Sequence, residues 1–275
     1  FFGGWLKKNN FSDLIVKKNI TKVWSPVHYK SDHNAMYKKD KYGFRGNYEN
    51  ISQVKIITVG GSTTDERWID ENLTWTRMLQ EKIIKHINDK NYKIANAGVD
   101  GQSSLGHLKN FDYWFSKIEK LNPKFYIFYI GINDAVILAD SLEKNSSENF
   151  NRADHLKDKN PSEKIVNYIK NNSAVYNLHK ILDGYLIAKK YGVSHGTDTW
   201  KGSFEKKKIE IYNKSDQIDK FLKDYNDRLI KISNKVKKES STSIFITQQV
   251  PQGHYLEELL IMVNQQTIKF CKFEK

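Results

Sequence analysis

One cysteine, Cys271, stands in 275 residues. A single thiol excludes any internal disulfide, and with it a disulfide-stapled scaffold, but leaves the redox compartment open. No stretch approaches the roughly 18 apolar residues that a membrane span requires. The run Phe1-Phe2-Gly3-Gly4-Trp5-Leu6 is too short for that, though it would suit the juxtamembrane remnant of an anchor. There is no GxGxxG and no P-loop lysine, so neither nucleotide cradle is available, and no internal repeat is visible. Acids are in deficit: 32 Asp and Glu against 45 Lys and Arg, a net charge of +13. Such a charge would suit nucleic acid, an anionic membrane surface or an acidic glycan. Yet the lysines are scattered among acids and asparagines, and only short runs such as Lys206-Lys207-Lys208 and Lys235-Val236-Lys237-Lys238 stand out. The second lies on the polar flank of an amphipathic helix, and no nucleic-acid motif accompanies either. A bias toward Lys and Asn accounts for the charge, and no nucleic-acid partner is expected.

What is present is an α/β alternation. The chain is polar overall, with a mean hydropathy of -0.67, and long enough for one large α/β domain or one with an insertion. The apolar run Val54-Lys55-Ile56-Ile57-Thr58 ends in Val59-Gly60-Gly61-Ser62-Thr63-Thr64-Asp65, a buried strand delivering a serine to a tight turn. Gly60 and Gly61 allow positive φ and a close approach of the backbone to a ligand. Tyr92-Lys93-Ile94-Ala95 closes in Asn96-Ala97-Gly98-Val99-Asp100-Gly101-Gln102-Ser103, and Phe125-Tyr126-Ile127-Phe128-Tyr129-Ile130 in Gly131-Ile132-Asn133-Asp134. Strand ends of this type converge on one crevice of an open α/β sheet. A hydroxyl nucleophile there needs donors aimed at the oxyanion of acyl transfer. The amides of Ser62 and Gly101 and the side chain of Asn133 would supply three. The alternation predicts a three-layer α/β/α sandwich on a parallel sheet of flavodoxin-like order, short of its last elements.

The ordered set resembles the SGNH/GDSL hydrolase family: GGST matches its serine block, NAGVDGQS its glycine block and GIND its asparagine block. The resemblance covers about residues 42–271. It implies the SGNH hydrolase fold, with Ser62 as nucleophile and Ser62, Gly101 and Asn133 as oxyanion hole, and calls for no cofactor and no metal. The usual GDSL is replaced by a GGST variant at Gly61 and Thr63. Tyr42-Gly43-Phe44-Arg45-Gly46 is similar to SGNH-like proteins found with surface polysaccharide genes. That implies an O-acetyl ester of a surface glycan as substrate, a membrane anchor N-terminal to this chain and an extracytoplasmic location. The family's fourth block, Asp-x-x-His, is missing. After the fourth strand, Ser243-Ile244-Phe245-Ile246-Thr247, and Gln248-Gln249-Val250-Pro251, no Asp occurs, and the one late histidine, His254, reads as an exposed loop residue. We therefore expect a C-terminally truncated fragment, cut at both ends, that lacks the base for Ser62.

Residues 1–50 read as an irregular N-terminal arm wrapping the core, and residues 51–275 as the hydrolase-like domain. Helical stripes appear at Trp75, Met78, Leu79, Ile83, Ile84 and Ile87 with Thr74 as N-cap, and at Leu105, Leu108, Phe111, Phe115 and Ile118. A third runs through Ile218, Phe221, Leu222, Tyr225, Leu229, Ile232 and Val236. Between them, about 135–215 reads as a largely helical insertion with a patch near Ile165 to Leu186, where selectivity would reside. Bland readings compete at each polar position. Asn133 or Asp134 would cap the following helix, Asp65 and Glu66 would favour a helix N-terminus, and His107 would be structural, as would the partly buried Cys271. Asp100 is within reach of the crevice. Two other function classes remain open: a catalytically inactive scaffold or glycan-binding subunit on the same fold, and a flavodoxin-like module using the Gly60–Thr64 turn as an anion nest.

Overall fold

A computed structural model of the chain describes residues 16, 18–24, 35–144, 173–176, 178–179, 182 and 214–273. In chain order they include β1 (Ile20–Trp24), β2 (Ala35–Lys39), β3 (Val54–Gly60), α1 (Ser62–Asp65), α2 (Trp75–Ile87), β4 (Lys93–Gly98), α3 (Ser104–Tyr113), β5 (Phe125–Tyr129), α4 (Ile132–Lys144), α5 (Ser215–Lys238), β6 (Thr242–Ile246) and α6 (Glu257–Phe273). The last four strands make one parallel sheet in the order β4-β3-β5-β6. Ile57 of β3 stands opposite Ala95 on one side and Tyr126 on the other. This is the flavodoxin-like order, with the first strand flanked by the second and third, so the chain leaves β3 into Ser62 where the strand order reverses.

β3 is buried along nearly its whole length, as expected for an apolar, β-branched strand covered on both faces. On one face α3, α4, α5 and α6 close over a core that includes Phe111, Leu138, Leu229 and Leu260. On the other, α2 sets Trp75, Leu79 and Ile83 against Ile56, Ile94 and Ile127. Thr74 caps α2, its hydroxyl accepting from the Arg77 amide at 3.3 Å. α5 has no side-chain N-cap. Packing holds it instead, since Leu229 and Ile232 are fully buried and each such side chain contributes about 1.5–3 kcal/mol. Among the described residues β6 is an edge strand, and its Ile244 and Ile246 stay partly in water.

The arm is more ordered than its composition indicated. β1 and β2 form an antiparallel hairpin, Ile20 opposite Lys39 and Trp24 opposite Ala35. After β2, Asp40 Oδ1 accepts the amides of Tyr42 (2.9 Å) and Phe44 (3.0 Å) in a tight turn. Gly43 sits there at φ +93, and a Cβ would come 2.5 Å from Val16 Cγ1. Phe44 is buried against Trp114, ring centroids 5.1 Å apart. Arg45 then joins the edge of the main sheet, its amide donating to the Asn96 carbonyl at 2.9 Å.

Three element readings change. The second stripe is broken, because α3 ends at Tyr113 and Phe115 belongs to a separate 3-10 turn, Phe115–Lys117. The α/β alternation continues past 135, since α4 runs to Lys144 with Ala135, Leu138, Ala139 and Leu142 buried. Finally, β6 is followed by a further helix, α6, that the sequence analysis does not include. The patch near Ile165 to Leu186 lies largely outside the described residues.

Candidate active site

β3 ends against close neighbours. A Cβ on Gly60 would lie 2.2 Å from Thr64 Oγ1, and one on Gly61 2.2 Å from Asn133 Nδ2. Neither glycine takes a positive φ, contrary to the sequence expectation; Gly61 sits at φ -86. Glycine is needed here for room: the serine turn is pressed against the asparagine block. Gly98 at the end of β4 is equally constrained, since a Cβ would meet the Asp65 amide at 2.2 Å. Gly101 does take a positive φ, +77, the conformation that favours glycine in a turn.

Ser62 opens α1, a single turn whose exposed carbonyls are answered from other elements. Trp75 Nε1 donates to the Thr63 carbonyl at 3.0 Å, and Asn96 Nδ2 to the Thr64 carbonyl at 2.7 Å. Arg45 Nη1 donates to the Asp65 and Glu66 carbonyls. Thr63 Oγ1 in turn accepts from Gln248 Nε2 at 2.6 Å, and Gln248 Oε1 accepts the Ile132 amide at 2.8 Å, tying the residues after β6 to both the serine turn and the start of α4.

Asn133 lies in the first turn of α4, but its side chain turns outward. Nδ2 donates to the Gln102 carbonyl at 2.9 Å. One hydrogen bond thus links the asparagine block to the glycine block beside Gly61. Gln102 is itself fixed: its side chain pairs reciprocally with the Asn110 amide (2.9 and 3.0 Å), and Oε1 lies 3.0 Å from His107 Nδ1. With Oε1 as acceptor, His107 Nδ1 carries the proton. Burial pushes this imidazole down to about 3, so it is neutral and structural. Asp134 caps a helix other than its own, accepting the Ser104 amide at 3.1 Å and the Ser104 hydroxyl at the start of α3. Arg228 of α5 lies 3.7 Å from the same carboxylate.

The two acids after Ser62 divide their roles. Asp65 is buried, with Lys39 Nζ 3.3 Å away and the Tyr37 hydroxyl donating at 2.8 Å, so it binds the hairpin to the serine turn. Glu66 accepts the Trp75 amide at 3.0 Å and caps α2. Burial pushes Glu66 up to about 7, against the Trp75 amide and the Arg45 guanidinium.

A cavity of about 840 Å³ opens at these strand ends. Ser62 and Asp100 line it, together with Arg67, Trp68, Trp75 and Tyr129. Arg67 bridges Asp100 (3.1 Å) and Asp65 (3.5 Å). Gly101 and Asn133 are not in its wall; Asn133 meets the serine turn from the side of Gly61 and Gln102. No histidine is among the described residues that line it. His254 precedes α6, its Nδ1 accepting the Leu256 amide at 3.2 Å, and is half-buried rather than a free loop residue. Among the described residues no cluster of His, Cys, Asp and Glu could hold a metal ion, and no helix is long and apolar enough to cross a membrane.

The sequence reading missed Asn96, Gln102 and Gln248 as site residues, and named Arg45 only within a resemblance. Their contribution lies in hydrogen bonds between distant segments, which leave no periodic trace.

A family model described as GDSL-like Lipase/Acylhydrolase matches residues 56–255. Among solved structures, TesA is similar over 78% of this chain and 74% of its own, at 12% identity and a TM-score of 0.39. AlinE4, titled an SGNH-hydrolase family esterase, is similar over 78% of this chain and 96% of its own, at 15% identity and a TM-score of 0.27. No curated protein matches the sequence.

Proposed function

The chain belongs to the GDSL-like lipase/acylhydrolase family, and from that premise we propose that it is a serine esterase with Ser62 as nucleophile and with Ser62, Gly101 and Asn133 as oxyanion hole. The observation that carries this reading is the Asn133 amide, pressed on Gly61 and donating to the Gln102 carbonyl. One of its two N–H bonds is spent there, and the other is available to an oxygen beside the serine turn.

In this reading Ser62 Oγ attacks the ester carbonyl and gives up its proton to a base. The carbonyl oxygen becomes an oxyanion held by the Ser62 and Gly101 amides and Asn133 Nδ2. Collapse expels the alcohol and leaves an acyl-serine, which water then hydrolyses. The substrate we propose is an O-acetyl ester of a glycan. The cavity is far larger than an acetyl group, and its wall includes Trp68, Trp75 and Tyr129, aromatic faces suited to the alcohol portion of such a substrate.

The absence of a histidine from the described lining favours a second reading, an inactive scaffold. The test is made on the full-length protein: fluorophosphonate labelling of Ser62 together with turnover of p-nitrophenyl acetate. The esterase reading expects labelling that Ser62→Ala abolishes, and a loss on the order of 10²–10³ in turnover for Asn133→Ala. Neither labelling nor turnover means the scaffold.

A further inference from the structure

Arg45 is a fully buried arginine, and its fork is spent almost entirely on one short segment. Nε donates to Glu71 Oε2 at 3.1 Å. Nη1 donates to the Asp65 and Glu66 carbonyls and Nη2 to the Ile69 carbonyl. Four of the five N–H bonds of a guanidinium therefore end on residues 65–71. The face of the group lies over the Tyr37 ring, 5.1 Å from its centroid. Its backbone is pinned separately, to Asn96 on β4.

The segment that Arg45 holds has two ends of consequence. At one it closes the turn that Ser62 opens, since the Glu66 amide donates to the Ser62 carbonyl at 2.7 Å. At the other it forms the cavity wall, because Asp65, Glu66, Arg67, Trp68 and Ile69 all line the cavity with Ser62. Charge burial alone would not require this arrangement, since one carboxylate would neutralise one guanidinium. Three carbonyls gathered from different directions need a planar fork, a geometry that the point charge of a lysine cannot reproduce.

We propose that Arg45 is a positioning residue: it sets the placement of Ser62 and of the cavity wall by holding the carbonyls of Asp65, Glu66 and Ile69 from beneath. The arm before β3 is then a working part of the site. The inference rests on the reading of Ser62 as nucleophile. A misplacement of about 1 Å at a reacting group can cost on the order of 10²-fold in rate, so loss of the fork acts on reactivity before it acts on the fold.

The experiment compares the full chain with Arg45→Lys by fluorophosphonate labelling rate per folded molecule and by amide hydrogen exchange across residues 62–71. The expected result is labelling slower by about 10²-fold, with exchange accelerated in 62–71 but not in β3 or β5. Arg45→Ala should recover labelling when free guanidinium is added at non-denaturing concentration, which a general loss of stability would not allow. If Arg45→Lys fails to fold, Glu71→Ala keeps the arginine and removes only the acceptor of Nε, and a smaller loss with the same local exchange pattern is expected. Unchanged local exchange, or labelling lost only in proportion to the folded fraction, overturns the proposal. A wild type that never labels while Arg45→Lys still loosens 62–71 overturns the esterase reading and leaves the clamp standing.

Discussion

Glu66 holds the Trp75 amide with a carboxyl that burial has pushed up to about 7. In the unfolded chain the same group titrates near 4.3. Between those values the folded protein keeps a proton that the unfolded chain has released. Stability therefore falls as pH rises through that window, and the cost persists above it. Glu66→Gln keeps an acceptor for Trp75 and removes the charge. Thermal midpoints of the two proteins should coincide near pH 4, with the variant higher near pH 8; a variant less stable near pH 8 would contradict the assignment. At this scale the strand ends that carry Ser62, Gly101 and Asn133 were legible, because a short strand ending in glycine is a local pattern. Arg45 and Asn96 were not, since buried arginine runs against the usual exposure of that residue and both act across the chain.

Among the elements, Asp134 shows how two helices share one group. Its carboxylate caps α3 from a position on α4, with Arg228 of α5 beside it. Asp134→Ala strips that cap and leaves a largely buried arginine without its carboxylate, so a loss of about 3 kcal/mol in denaturant unfolding is expected, the low end for breaking a buried pair. A change below roughly 0.5 kcal/mol would mean the contact is idle. The helices α2 and α5 were readable because their apolar residues recur every three or four positions over three turns or more. α3 was overextended, since Phe115 and Ile118 continue the spacing after the backbone has left the helix at Trp114. α6 was readable but unread: Leu259, Leu260, Val263 and Phe270 are buried on one stripe. The hairpin was not legible, because its pairing is tertiary and its composition resembles the rest of the arm.

At the scale of the whole molecule, the parallel sheet makes the site a product of distant parts. At the cavity the charges are of both signs, Arg67 facing Asp65 and Asp100. The four carbonyls that follow Ser62 in α1 and its end are answered by residues 12, 32, 20 and 21 positions away. That arrangement has a consequence in time. Contacts closed over long loops form late, after the local and hydrophobic ones. The serine turn gains its donors only once β4 lies beside β3 and the hairpin has docked. In refolding from denaturant, helical signal and tryptophan burial should therefore recover first, and pulse labelling of Ser62 by fluorophosphonate should lag behind both. Reactivity that returned in step with helix content would mean that the turn is built locally. A lag would make this serine a clock for the last act of folding.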